Sequence, residues 1–156
     1  MPSAITGRTF LNQYHVEEFI ALTPLGELFR AVDERSHKPL AFTLLPKSIS
    51  DSAETIKELE AESKKLQSLS HPNLTKYLGL FQTPTLAFLL EEWVDGPSLL
   101  TVLQHAPVTV NEALVYAKAV CGALDALHKQ NLKSTSVSRK ISALKIFINF
   151  WKMKIW

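Results

Sequence analysis

Few side chains in this sequence are spaced for chemistry, and the most demanding of them is Glu62. It falls on the apolar stripe of a helical segment, between Leu59 and Leu66. A carboxylate on an inward helix face costs free energy unless a cation or hydrogen-bond donors meet it. Periodicity fits two readings, an inward carboxylate that needs a partner and a stripe-edge residue left in water. Glu91 and Glu92 form a second acidic feature, closing an apolar run from Thr85 to Leu90. Cys121 is the sole cysteine, which excludes a disulfide framework and a thiolate metal site. The five histidines (His15, His37, His71, His105, His128) show no ligand spacing, so structural roles are expected for them.

The elements that must position these residues follow from pattern. Tyr14–Ile20 alternates loosely and reads as a strand, Leu22–Gly26 as a turn, and Glu27–Val32 as a second strand. After the polar loop 33–39, Leu40–Leu45 makes a third strand, ended by Pro46. Asp51-Ser52-Ala53-Glu54 has capping-box form, with Asp51 as the cap of a helix that runs to about Leu69. Its stripe is Ile56, Leu59, Leu66 and Leu69. Thr75–Phe81 and Thr85–Leu90 are two more strands, and Asp95-Gly96-Pro97 breaks the chain. Ser98 is positioned to cap a short helix through Gln104. Asn111 then caps a longer helix with Leu114, Ala117, Cys121, Leu124 and His128 near one face. Five strands with one helix between the third and fourth, followed only by helix, is an α+β pattern.

Bulk properties narrow the class. A chain of 156 residues, 46% hydrophobic and 21% charged, suits one domain with a core of its own. No basic, then apolar, N-terminal stretch reads as a signal peptide, and no apolar run reaches the roughly 18 residues of a membrane span. A cytoplasmic setting is therefore expected. Charge is unevenly placed: all 15 acidic residues lie at or before Asp125, while seven of the 17 basic ones follow it. That break suggests segments of different character.

The order of these elements and their motifs resembles the protein kinase family, from the first strand to the helix before the catalytic loop. The opening Gly7-Arg8-Thr9-Phe10-Leu11-Asn12-Gln13-Tyr14 is similar to bacterial serine/threonine kinases of eukaryotic type. The resemblance implies a leader (1–13), a kinase-like N-lobe (14–94) with a five-stranded antiparallel sheet and an αC helix, and the hinge with the first C-lobe helices (95–132). A basic, aromatic tail (133–156) follows. In this frame His71-Pro72-Asn73-Leu74 follows αC, Glu62 takes the αC glutamate position, and Glu92-Trp93-Val94-Asp95-Gly96 is the hinge.

The resemblance also implies which functions are weakened. Kinase glycine loops let backbone amides approach phosphate, but Ala21-Leu22-Thr23-Pro24-Leu25-Gly26 keeps only Gly26, and Pro24 removes a donor. Leu40-Ala41-Phe42-Thr43 aligns with V-A-I-K, so the nucleotide lysine is replaced by Thr43 and Glu62 loses its cation. Lys47 lies beyond Pro46, after the strand should have ended. An adenine slot survives better: Leu28 and Ala41 as its ceiling, with the Glu92 carbonyl and Val94 amide at its edge. Glu91 occupies the gatekeeper position, where a charge is costly unless it turns outward or meets a cation. Past Gln130, Ser136 aligns with the catalytic aspartate and no acid follows, so the family's phosphoryl transfer is expected to be absent. ATP binding is expected to be weak at best, and a magnesium site is not expected.

For the tail, a decayed strand pair competes with foreign sequence from a frameshift, altered splice or chain boundary. Its lysines interleaved with Phe150, Trp151 and Trp156 also fit an anionic membrane surface or nucleic acid, without sequence-specific reading. The leading expectation is a catalytically incompetent kinase-like module, a pseudokinase or truncated kinase, that binds or scaffolds a protein partner. The rival is an ATP-dependent serine/threonine kinase whose remaining parts lie in a longer chain. With its later helices missing, the helix from Asn111 would leave an apolar face open to self-association.

Overall fold

The structure is a computed structural model and describes residues 4–97 and 99–130. The described residues form two compact units: one runs to Leu69 and takes in Lys76–Trp93, the other takes in Ser70–Thr75 and the described chain from Val94 onward.

The first unit is built on a six-stranded antiparallel sheet. Its strands are β1 (Thr9–Phe10), β2 (Tyr14–Thr23), β3 (Gly26–Asp33), β4 (Lys38–Leu44), β5 (Tyr77–Gln82) and β6 (Ala87–Glu92), in the spatial order β1-β2-β3-β4-β6-β5. Five of these correspond to the strands expected from the sequence. The sixth, β1, comes from the segment read as a polar leader. Its backbone pairs with β2 at Thr9–His15 and Phe10–Tyr14, and Ile5 beside it is buried. Polar composition concealed this because, among the described residues of the segment, Ile5 and Phe10 are the apolar ones that join the core.

Alternation then gives the sheet two distinct faces. On one, Val16, Phe29, Phe42, Phe88 and Leu90 are fully buried and Phe10 packs against them. Phe42 and Phe88 stack with ring centroids 4.3 Å apart, and Phe10 lies 5.5 Å from Phe42. Such ring pairs add about 0.5–1.5 kcal/mol each beyond their burial. On the other face the registers Leu28–Thr43–Leu89 and Arg30–Ala41–Glu91 run across β3, β4 and β6.

Two helices belong to this unit. The short α1 (Lys47–Ser50), absent from the sequence reading, begins directly after Pro46. Proline suits the entry to a helix, where its missing amide would have no partner. The helix α2 (Ala53–Gln67) begins one residue later than expected: Ser52, not Asp51, is the cap, and its hydroxyl accepts from the Thr55 amide. Ile56 and Leu66 are buried as its stripe requires, while Leu59 and Leu69 are half-buried.

In the second unit, α3 (Leu99–His105) occupies the expected short helix; its proposed cap Ser98 lies outside the described residues. The helix α4 (Val110–Lys129) begins earlier than Asn111. Thr109 is its cap and forms a full capping box with Glu112. Glu112 accepts from both the Thr109 amide (2.7 Å) and hydroxyl (2.8 Å), and the first of these contacts chiefly holds its carboxyl below the usual range. The buried face of α4 is Tyr116, Ala123 and Leu127, not the stripe read from the sequence. Leu114, Ala117, Cys121 and His128 are exposed and Leu124 is half-buried. The helix is apolar on several sides, so periodicity alone could not select its covered face.

Candidate functional site

The turn between β2 and β3 is the stretch read from the sequence as a reduced glycine loop, and its geometry explains the one glycine left there. Thr23 pairs with Gly26 across a two-residue loop of Pro24 and Leu25. The Thr23 hydroxyl donates to the Gly26 carbonyl (2.9 Å) and accepts from the Leu25 amide (3.3 Å). Pro24 has no amide, and that of Leu25 is already engaged. Gly26 has φ +146°, and a Cβ there would stand 2.0 Å from the Leu44 carbonyl oxygen. The close crossing of β3 and β4 alone therefore requires glycine at this position.

Leu28 and Ala41 share the second face of the sheet with Thr43, Leu89 and Glu91. Leu28 is buried and Ala41 half-buried. Thr43, read from the sequence as standing at the lysine position, is 8% exposed and flanked across the strands by Leu28 and Leu89. Lys47 is exposed at the start of α1, past the end of β4, as Pro46 leads one to expect. Glu62 is half-buried on α2, and among the described residues no ion pair or hydrogen bond reaches its side chain. Glu91 is half-buried opposite Tyr77. The Tyr77 phenol is pushed up to about 12, mainly by burial, with the Ser63 hydrogen bond opposing and the Glu91 charge adding to the rise.

Glu92 ends β6 exposed, tied at both backbone and side chain to one neighbour. Its amide donates to the Lys76 carbonyl (2.9 Å), and its carboxylate accepts from the Lys76 amide (3.3 Å). Val94 belongs to the second unit and is half-buried there. Ser136 and the tail lie outside the described residues.

Two features went unread in the sequence. Glu60, Ser63 and Gln67 form a polar row on α2 that fastens it to β5. Gln67 donates to the Leu78 carbonyl (2.6 Å), Gln82 donates to Glu60 (2.8 Å), and buried Ser63 accepts from the Leu80 amide (3.3 Å). Their spacing of three and four residues was a usable signal, hidden among the helix's other polar residues. The second is Arg30, which pairs with Glu17 and lies 6.0 Å over the Trp93 ring. Among the described residues no cluster of histidine, cysteine and carboxylates is arranged for a metal ion, and no helix is long and apolar enough to cross a membrane.

A curled antiparallel sheet with one long helix inserted between its fourth and fifth strands is the small lobe of a kinase fold. The chain belongs to the protein kinase family: residues 14–134 match the model of the protein kinase domain. It is similar to the serine/threonine-protein kinase PknD of Mycobacterium tuberculosis, 25% identical over 125 residues, covering 80% of this chain and 19% of that protein. Aurora kinase of Saccharomyces cerevisiae is 33% identical over 95 residues, covering 60% of this chain and 25% of its own length. The M. tuberculosis PknI kinase domain shares the fold with a TM-score of 0.68 at 22% identity, covering 81% of this chain and 52% of that structure. The chain thus spans about a fifth of the PknD protein and about half of the PknI kinase domain.

Proposed function

We propose that this chain is a kinase-fold binding module that does not hold nucleotide phosphate. The observation that carries this reading is Thr43: the position that should present a cation to phosphate is a buried, uncharged side chain between Leu28 and Leu89. Two further features support it. Glu62 has no cation to answer among the described residues, and the turn at Thr23–Gly26 uses its own hydroxyl to fill the Leu25 amide. On this reading Leu28 and Ala41 form an apolar wall suited to a flat ring. The Glu92 carbonyl is an edge contact, magnesium has no place, and a protein partner in the cytoplasm is what the fold would serve.

A second reading is favoured by the similar proteins, which are serine/threonine kinases several times longer than this chain. There the chain would be part of an ATP-dependent kinase whose phosphate contacts come from elsewhere. Thermal-shift titration with ATP, with and without magnesium, separates the two, because a ligand that binds only the folded state raises its melting temperature. The binding-module reading expects no magnesium-dependent rise. A rise of several degrees that needs magnesium would favour the kinase reading.

A further inference from the structure

The sheet ends in two outer strands, β1 and β5, and the sequence of β5 leaves it open to pairing. Its residues Tyr77-Leu78-Gly79-Leu80-Phe81-Gln82 hold no charge and no proline. Charge and proline are common devices that stop an edge strand from adding a strand of another chain, and a short, apolar, uncharged run is the kind that does add one. Protection comes instead from the polar row of α2. Leu78 faces no residue of β6, because the register slips between Tyr77 and Gly79, and its carbonyl accepts from Gln67 (2.6 Å). The Leu80 amide donates to Ser63 (3.3 Å). A donor for one carbonyl and an acceptor for the amide two residues on are what a neighbouring strand would offer. The spacing fits as well. Glu60 to Gln67 rises about 11 Å along the helix, close to the span of about 13 Å from Leu78 to Gln82 along the strand. Gly79 leaves room for the contact, since a Cβ there would stand 2.8 Å from the Gln67 Nε2.

We infer that β5 is a latent self-pairing strand, and that Ser63 and Gln67 of α2 keep it closed to a second copy of the chain. A second copy is the occupant that fits, because two β5 strands running antiparallel about a two-fold axis are self-complementary. In an antiparallel ladder the amide and carbonyl of one residue face the same side. The Leu80 amide faces α2, so its carbonyl does too, and both would meet the same groups of the copy's Leu80. No like charges would be brought together, since the strand carries none. Ser63 is buried and Gln67 exposed, so the cover opens first at its Gln67 end, where water competes for the Leu78 carbonyl. Nucleotide binding plays no part in this device.

Hydrogen exchange of the Leu80 amide, followed against protein concentration, is the test. In the parent it should be slow and independent of concentration. With Ser63→Ala and Gln67→Ala together it should be at least tenfold faster in dilute protein. It should slow again as concentration rises, with a larger mass in sedimentation than the parent shows. Adding Gln82→Lys, a charge at the exposed end of the strand, should remove that association and keep the amide fast throughout. Exchange in the dilute double variant as slow as in the parent would overturn the inference, because the row would not be the cover. So would fast exchange that no concentration slows, or association that Gln82→Lys leaves in place. Should the double variant fail to fold, Gln67→Ala alone alters an exposed position. It should associate at a concentration at least tenfold lower than the parent, and equal masses at every concentration would contradict the device.

Discussion

Replacing Gly26 with alanine separates a structural glycine from a phosphate-binding one. In the folded chain φ at this position is +146°, and the added Cβ would meet the Leu44 carbonyl oxygen at 2.0 Å, with the carbonyl carbon at 3.0 Å. Both contacts are backbone atoms of β4, so no side-chain rotation can relieve them; β3 and β4 must move apart or the turn must rebuild. A strained backbone of this kind costs about 1–3 kcal/mol, before the contact itself is counted. A total of about 3 kcal/mol is a reasonable expectation for Gly26→Ala, in the range of severe single substitutions. For a unit of this size it lowers the melting temperature by roughly 12–24 °C. Differential scanning calorimetry of the two proteins without any nucleotide measures it. A variant melting within 2 °C of the parent would refute the packing argument and return Gly26 to a role in ligand contact.

Other substitutions test other parts of the fold. Tyr77→Phe removes a phenol whose pKa is pushed up to about 12. The unfolded phenol releases its proton near 10 while the folded one keeps it, so the parent protein should lose about 2–3 kcal/mol of stability as pH rises from about 10 to about 12. Urea unfolding across that range should show the loss in the parent and a much flatter profile in the variant. Thr109→Ala removes the α4 capping box and should cost about 1 kcal/mol, with helix content falling first at α4 in hydrogen exchange. An unchanged exchange rate in the first turn of α4 would argue against the box as a contributor.

The sheet was legible because its apolar runs are bounded by turn residues at Pro24, at 33–39, at Pro46 and at Pro84, although both faces carry apolar side chains, Phe29, Phe42 and Phe88 on one and Leu28, Ala41 and Leu89 on the other. The reading of Thr43 at a lysine position came from resemblance to the family, and the structure adds that its side chain is buried between Leu28 and Leu89. Less legible were positions where chemistry is shared between neighbours. Asp51 and Ser52 are both good caps, and only backbone geometry chose Ser52. Gly26 looked like a remnant of a phosphate loop, whereas its requirement comes from Leu44, eighteen residues away on the next strand. The leader hid its strand because pairing at Thr9 and Phe10 is made by backbone, which composition does not reveal. On α4 apolar residues lie on several sides, so the stripe read from Leu114 to His128 was not the face that the structure buries at Tyr116, Ala123 and Leu127.

A sheet face suited to a flat ring but without a grip on phosphate should not distinguish adenosine from magnesium ATP. Calorimetric titration with the two ligands, side by side, measures this. Both should bind alike and weakly, because the triphosphate meets neither a cation at Thr43 nor free amides at Pro24 and Leu25. Magnesium ATP binding tenfold or more tighter than adenosine would contradict it.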